Sequence, residues 1–470
     1  MHMRSANLRK NSLLYILVFS VVVRIIYLLA QQPLWWDTHV YIGMGKYIFS
    51  SGKFGIWESF RPLLHPLILG FFWDLGFSPI VVGKILDIFF SVLVVFFTYK
   101  IAEKVFSKRV AIISSLLLSV TPVFLMFTGL ILTDPMAMFF GLAGIYLYVK
   151  DQSDKNLFFA GFLLALSFLT RFPMGLFLAA VGIILVFQKE KIISKMRQLF
   201  ILGSGFIIPV LPYLWFNYQK YGNVFEPFTA GSWIVTTATW LYGSGITYYF
   251  REFFFGTLIY VFSFVYLYHF FKEKGWKNSS KLLVVLIPML VIAYFMYVPR
   301  KELRYIVAAV PFLSMMVAAA VTRIYDQLRS TEKPPITPKA FVIICVLLIL
   351  AFIPAGLHFE RPPSFTTEID RAVAEYNVTG TIMASDPSFI SYLDNPILLL
   401  GGMTFAPEVY EQHKDGFELL FINQCDLPCP PEDLSCINRR QELLEKVKLE
   451  NQEIFSKTVK NCSYSIHVPR

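Results

Sequence analysis

Charge is scarce in this chain of 470 residues: Asp, Glu, Lys and Arg make up 16% of it, against about 25% in a soluble domain. That shortage excludes a cytosolic enzyme and an ordinary secreted one. Cysteine is sparse too, five in all. The paired C-x2-C spacing of a zinc site is missing, and His413 and His467 are scattered. The tail after residue 358 lacks the G-x-G-x-x-G of a dinucleotide fold, and Gly401-Gly402 reads only as a turn. No cleavage pattern follows the first apolar stretch, which is therefore expected to stay as an anchor. No repeat relates the two halves of the apolar part, which counts against a secondary transporter.

Apolar residues fill the space instead. The chain is 56% hydrophobic, with 47 Phe and 24 Tyr, more than one globular core can hide. Apolar runs of about 20 residues mark helices that cross a bilayer, where backbone polar groups find no partner outside the helix. Eleven spans are expected: 13–30, 79–99, 110–128, 132–149, 157–170, 173–187, 199–216, 252–271, 282–298, 305–322 and 340–358. With the N-terminus inside, 21 Lys/Arg fall in inner segments and nine in outer ones, the bias that orients membrane proteins. Eleven spans then place the tail outside. The expected fold class is an α-helical polytopic membrane protein, residues 1–358, with a small α/β extracytoplasmic domain, residues 359–470.

Charge divides at the same boundary. Residues 1–358 hold 32 Lys/Arg and 15 Asp/Glu, whereas residues 359–470 hold 10 and 17. The net +10 is therefore no polyanion-binding surface, and nucleic acid is not an expected partner. In the tail, helical stretches near 366–376, 387–393, 406–414 and 432–449 alternate with strand-like TIMASD, NPILLL, FELLFIN and YSIHV. That pattern points to an open, mostly parallel sheet in an accessory or recognition domain. Cys425, Cys429, Cys436 and Cys462 lie in this external segment, where two disulfides can form and three pairings stay open. Cys345, in the last span, reads as a small apolar residue. Sequons occur at Asn278, Asn377 and Asn461, the last two on the outer side.

The first external loop, 31–78, is too elaborate for a connector. Asp37 lies just beyond the first span, flanked by Trp35 and Trp36, with His39 and Tyr41 after it. Asp134 sits at the outer end of the fourth span, in LILTDPMAMFF. A carboxylate in such a stretch is a functional candidate, although Thr133 or Asp134 before Pro135 also makes a good helix start. Arg171 occupies a short external turn, and Arg300, Lys301 and Arg304 crowd another. Lys46, Lys53, Lys220 and Arg251 read as headgroup contacts, and Lys84 and Asp87 as a pair on one helical face. Carboxylates facing cations at one surface suit a phosphate-bearing lipid whose head group reacts there. Fixed Arg and Lys would stabilise charge growing on the phosphate, and an Asp would take a proton from an attacking hydroxyl.

At these residues the sequence resembles the GT-C superfamily of membrane glycosyltransferases, and within it the dolichyl-phosphate-mannose-protein mannosyltransferase branch with its aminoarabinose-transferase relatives. Asp37, Tyr41, Gly52 and Arg61-Pro62…His65-Pro66 follow the family order. Asp134-Pro135 and Arg304-Tyr305…Pro311 follow it later, so the resemblance spans about residues 10–322. It implies that Asp37 is the catalytic base and that Asp134 lies near donor or acceptor, with His39, Tyr41, Arg61 and His65 in the same site. Arg171, Arg300, Lys301, Arg304 and Tyr305 would hold the lipid phosphate. The implied reaction moves a sugar, a hexose such as mannose or a pentose, from a polyprenyl-phosphate donor to a protein, glycan or lipid acceptor with inversion. Thr38 stands where the family's acidic pair has Glu. That departure bears on any role shared by two carboxylates, including a divalent metal at the acidic site. A transporter or lipid flippase is the rival from another class, and a membrane anchor whose external domain only binds a partner is a third.

Overall fold

The computed structural model describes residues 11–29, 34–126, 128–236, 239–352, 365–459 and 462–470. The chain divides into two units. The first comprises Met1–Gln32, Ser59–Leu64 and Lys84–Phe359, and the second Pro33–Glu58, His65–Gly83 and Glu360–Arg470. The Asn461 sequon lies outside the described residues.

The first unit is helical. Five helices among the described residues are long and apolar enough to cross a membrane: Ser12–Leu29, Pro79–Val105, Ile192–Tyr221, Ser279–Tyr297 and Leu303–Ser330. Shorter apolar helices cover Phe172–Phe187, Leu258–Lys272 and Pro338–Ala351. Two expected spans are broken. Residues 110–128 form the helices Lys108–Val120 and Pro122–Met126. Pro122 disfavours a helical conformation at Thr121 before it, and Thr121 is extended at φ −67°, ψ 121°. Residues 252–271 run as a π turn, Phe250–Phe255, a 3-10 turn, Leu258–Val261, and an α-helix, Phe262–Lys272.

Close packing in this unit rests on small residues. Without a hydrophobic drive between helices in lipid, glycines let backbones approach. A Cβ on Gly161 would fall 2.1 Å from the Leu202 carbonyl oxygen, and one on Gly205 2.0 Å from that of Phe158. The helices Asp154–Thr170 and Ile192–Tyr221 therefore meet backbone to backbone, and alanine at either glycine would force them apart.

The second unit is built on a five-stranded sheet ordered β2-β1-β3-β5-β4. Its strands are β1 Ile382–Ala384, β2 Ile397–Leu399, β3 Leu419–Asn423, β4 Asn451–Val459 and β5 Cys462–Pro469. Strands β2, β1 and β3 pair in parallel, whereas β3–β5 and β5–β4 are antiparallel. The mostly parallel sheet expected from the alternation is thus half antiparallel, because β4 follows the helix Leu434–Glu450 directly and pairs with the adjacent β5. A parallel neighbour would need a crossover of about a dozen residues or more. Disulfides join Cys425 to Cys462 and Cys429 to Cys436.

Stretches of the long first loop are part of this unit. Trp36–Phe49 and Leu64–Asp74 are helices, and a Cβ on Gly45 would fall 2.7 Å from backbone atoms of Pro66 and Gly70. Lys46, read from sequence as a headgroup contact, is buried instead. Its ammonium donates to the Leu393 carbonyl at 2.9 Å and to the Asp394 carboxylate at 2.8 Å. The helix that carries Asp37 is thereby fastened to the sheet unit.

Candidate functional site

In the first unit, three residues from distant parts of the sequence meet. Asp134 stands in the first turn of the helix Thr133–Lys150 and is fully buried. Its Oδ2 accepts a hydrogen bond from Arg171 Nη1 at 3.1 Å and another from Arg304 Nε at 3.2 Å. Arg171 sits in the turn that ends the helix Asp154–Thr170, and Arg304 opens the segment Leu303–Ala309. Both guanidiniums are largely buried, at 12% and 8% exposure. One carboxylate between two guanidiniums leaves the trio at +1. Asp134 Oδ1 has no hydrogen-bond partner among the described residues. Such a group holds two planar donor arrays in fixed orientation and retains a positive charge where the dielectric is low, which suits an anionic oxygen ligand.

The other expected phosphate ligands divide. Arg300 donates to Glu302 at 2.6 Å, and its guanidinium lies 3.5 Å from the centre of the Tyr242 ring. Tyr305 donates to the same Glu302 at 3.1 Å and stacks on Phe295. Lys301 leaves the cluster altogether. Its buried ammonium donates to the carbonyls of Phe295, Met296 and Val298, at the end of the helix Ser279–Tyr297. Those are terminal carbonyls that lack helical partners, so Lys301 caps a helix.

In the second unit, Asp37 lies in the first turn of the helix Trp36–Phe49, half-buried, where the helix dipole favours a negative charge. Thr38 beside it is buried. His39, Tyr41 and His65 are also buried. His39 Nδ1 lies 2.7 Å from the Ser391 hydroxyl, and Tyr41 meets His65 edge-on at 5.4 Å. Burial lowers both histidines from 6.5 to about 4. They are therefore neutral near pH 7 and buried in this unit. Arg61, in the first unit, has its guanidinium 5.0 Å from the centre of the Phe60 ring.

No group of three or more His, Cys, Asp or Glu able to hold a metal occurs among the described residues. Sequence reasoning missed the role of Asp87. It was expected to pair with Lys84, but its Oδ2 accepts the backbone N–H groups of Gly129 at 3.0 Å and Ile131 at 2.7 Å. The available signal was a lone carboxylate in one span and a glycine-containing turn just before Asp134.

The family model of dolichyl-phosphate-mannose-protein mannosyltransferases matches residues 60–216. No curated protein sequence matches the chain. ArnT from Cupriavidus metallidurans, solved bound to undecaprenyl phosphate, aligns with a TM-score of 0.64 at 12% identity over 97% of each chain. The archaeal oligosaccharyltransferase AglB from Archaeoglobus fulgidus, solved with an inhibitory peptide and a dolichol-phosphate, aligns with a TM-score of 0.54 at 13% identity. That alignment covers 89% of this chain and 70% of AglB. The arabinofuranosyltransferase AftD from Mycobacteria aligns at 0.54 and 11% identity, over 96% of this chain and 40% of its own. The chain is a helical, multi-pass membrane protein with the fold of these transferases, and the resemblance to the GT-C superfamily holds at the level of the fold.

Proposed function

We propose that the chain is a glycosyltransferase that moves a sugar, hexose or pentose, from a polyprenyl-phosphate donor to a protein, glycan or lipid acceptor on the outer membrane face. The observation that carries this reading is the sharing of buried Asp134 by Arg171 and Arg304. Further support comes from the relatives of the same fold, two of which were solved with undecaprenyl phosphate or a dolichol-phosphate.

In this reading the two guanidiniums bind the phosphate of the lipid. As the bond from the anomeric carbon to the phosphate oxygen breaks, negative charge grows on the leaving phosphate and the fixed donors stabilise it. Asp134 orients them. Asp37 accepts the proton of the acceptor hydroxyl or amide as that atom attacks the anomeric carbon from the opposite side, so configuration inverts in one displacement. Orientation follows from the Lys/Arg bias, with eleven spans, the N-terminus cytoplasmic and the tail outside. The disulfides Cys425–Cys462 and Cys429–Cys436 fit an oxidising compartment for that tail.

Purified full-length protein in detergent, supplied with a radiolabelled polyprenyl-phosphate sugar and acceptor extracts, should release free polyprenyl phosphate and label an acceptor. A transporter or flippase would release none, and that result would overturn the reading. Orientation has its own test in a glycosylating host. Asn377 should carry a glycan and Asn278 none; a glycan on Asn278 inverts the topology.

A further inference from the structure

The turn that leads into Asp134 has a strained backbone. Residues 128–132 link the helix Pro122–Met126 to the helix Thr133–Lys150, with residue 127 outside the described set. Gly129 has φ 88° and Ile131 φ 54°. The left-handed region is open to glycine but is a costly outlier for a β-branched residue. Such a conformation persists only where its surroundings over-determine it.

Asp87 supplies that determination. It is buried on the helix Pro79–Val105, and its one Oδ2 accepts both the Gly129 and the Ile131 amide. One side-chain oxygen that takes two N–H groups fixes both residues of the turn at once. The surroundings fit around it. One helical turn beyond Asp87, Ser91 accepts from Arg24 Nε at 2.6 Å. A Cβ on Gly129 would meet Leu28 at 3.0 Å, one helical turn beyond Arg24. Three residues past Ile131 stands Asp134.

We propose that Asp87 is a positioning residue: by accepting the Gly129 and Ile131 amides it sets the 128–132 turn, and through it the placement of the Asp134 carboxylate shared by Arg171 and Arg304. It touches no ligand. The role rests on the reading of that trio as a phosphate site. Sequence gives a different partner, Lys84 on the same helical face.

The test uses the full-length protein in detergent, with undecaprenyl phosphate as probe and two readouts, lipid affinity and amide exchange at residues 128–132. In Asp87→Ala, affinity should fall about tenfold or more, the effect of leaving two buried amides without an acceptor. The Gly129 and Ile131 amides should exchange faster by a similar factor. Asp87→Asn keeps an acceptor oxygen and should stay within about threefold of the parent on both counts. Gly129→Ala, which disturbs the same turn and leaves Asp87 in place, should weaken affinity like Asp87→Ala, and it carries the test if Asp87→Ala does not fold. Parent-like affinity in Asp87→Ala or in Gly129→Ala overturns the proposal, and so does exchange in Asp87→Asn as fast as in the alanine variant. Failure of the parent protein to bind the lipid sinks the phosphate reading instead. The exchange readout then still decides whether Asp87 holds the turn.

Discussion

The two units differ in how a buried ionisable group finds its partner. In the helical unit, Asp134 is matched by two guanidiniums, whereas Arg24 is fully buried among neutral partners, the hydroxyls of Ser20 and Ser91 and the face of Phe124. In the sheet unit, burial drives groups toward their neutral forms. His39 and His65 are pushed down to about 4. The carboxyl of Asp426 is pushed up to about 8 by burial and by Asp386, which is itself raised by burial. Lys46 finds its counter-charge in the more exposed Asp394. A buried ion costs several kcal/mol unless geometry compensates. In the proposed reading, the phosphate site gives the charge of the Asp134 trio its use.

The contrast is sharpest in the proposed reaction. Replacing Asp37 by Asn should cut transfer by roughly 10²–10⁴-fold, the usual contribution of a general base, while donor affinity stays unchanged. Near-normal turnover in that variant removes Asp37 from the mechanism. Arg304→Ala should act on the other side of the comparison. Loss of a charge-assisted hydrogen bond predicts donor binding weaker by roughly 10–100-fold, read by lipid titration. Unaltered affinity would show that the trio is purely structural.

Two smaller effects probe the sheet unit. An unfolded histidine titrates near 6.5, and the buried rings of His39 and His65 titrate near 4. Between those values the unfolded chain binds more protons, so stability is intact above 6.5 and declines as pH falls toward 4, by at most about 3 kcal/mol per ring. Thermal unfolding of the full chain across this range should show the decline, and His39→Gln should reduce its slope; an unchanged slope contradicts a buried neutral ring. Asp426 has the reverse sign. Its penalty is absent below its usual value of 3.8 and grows as pH rises toward 8. Asp426→Asn should therefore raise the unfolding midpoint more at pH 8 than at pH 5, a smaller change than the others, and equal shifts at both would refute it.

Legibility from sequence varied by element for physical reasons. Strands β1, β2 and β3 sit within TIMASD, NPILLL and FELLFIN, and β5 contains YSIHV, because each is a short β-rich run. Strand β4 was missed. Register skips from Glu453 to Phe455, so Ile454 is the extra residue of a bulge and breaks the alternation that marks a strand. Asp134, Arg171 and Arg304 stood out as charges where charge is rare, but Lys301 looked the same and proved to be a helix cap. Sequence spacing does not distinguish a cation aimed at a ligand from one aimed at a carbonyl.

Composition and apolar runs by themselves determined a multi-pass helical protein, because lipid admits only backbones whose hydrogen bonds close internally. They also singled out the few charges worth explaining. Only the tertiary structure decided which of those charges meet. It joined Arg171 and Arg304 on Asp134, turned Asp87 to the 128–132 turn and folded His39 and His65 into a core. Those assignments depend on contacts between residues up to 352 positions apart, and no local propensity records such a distance.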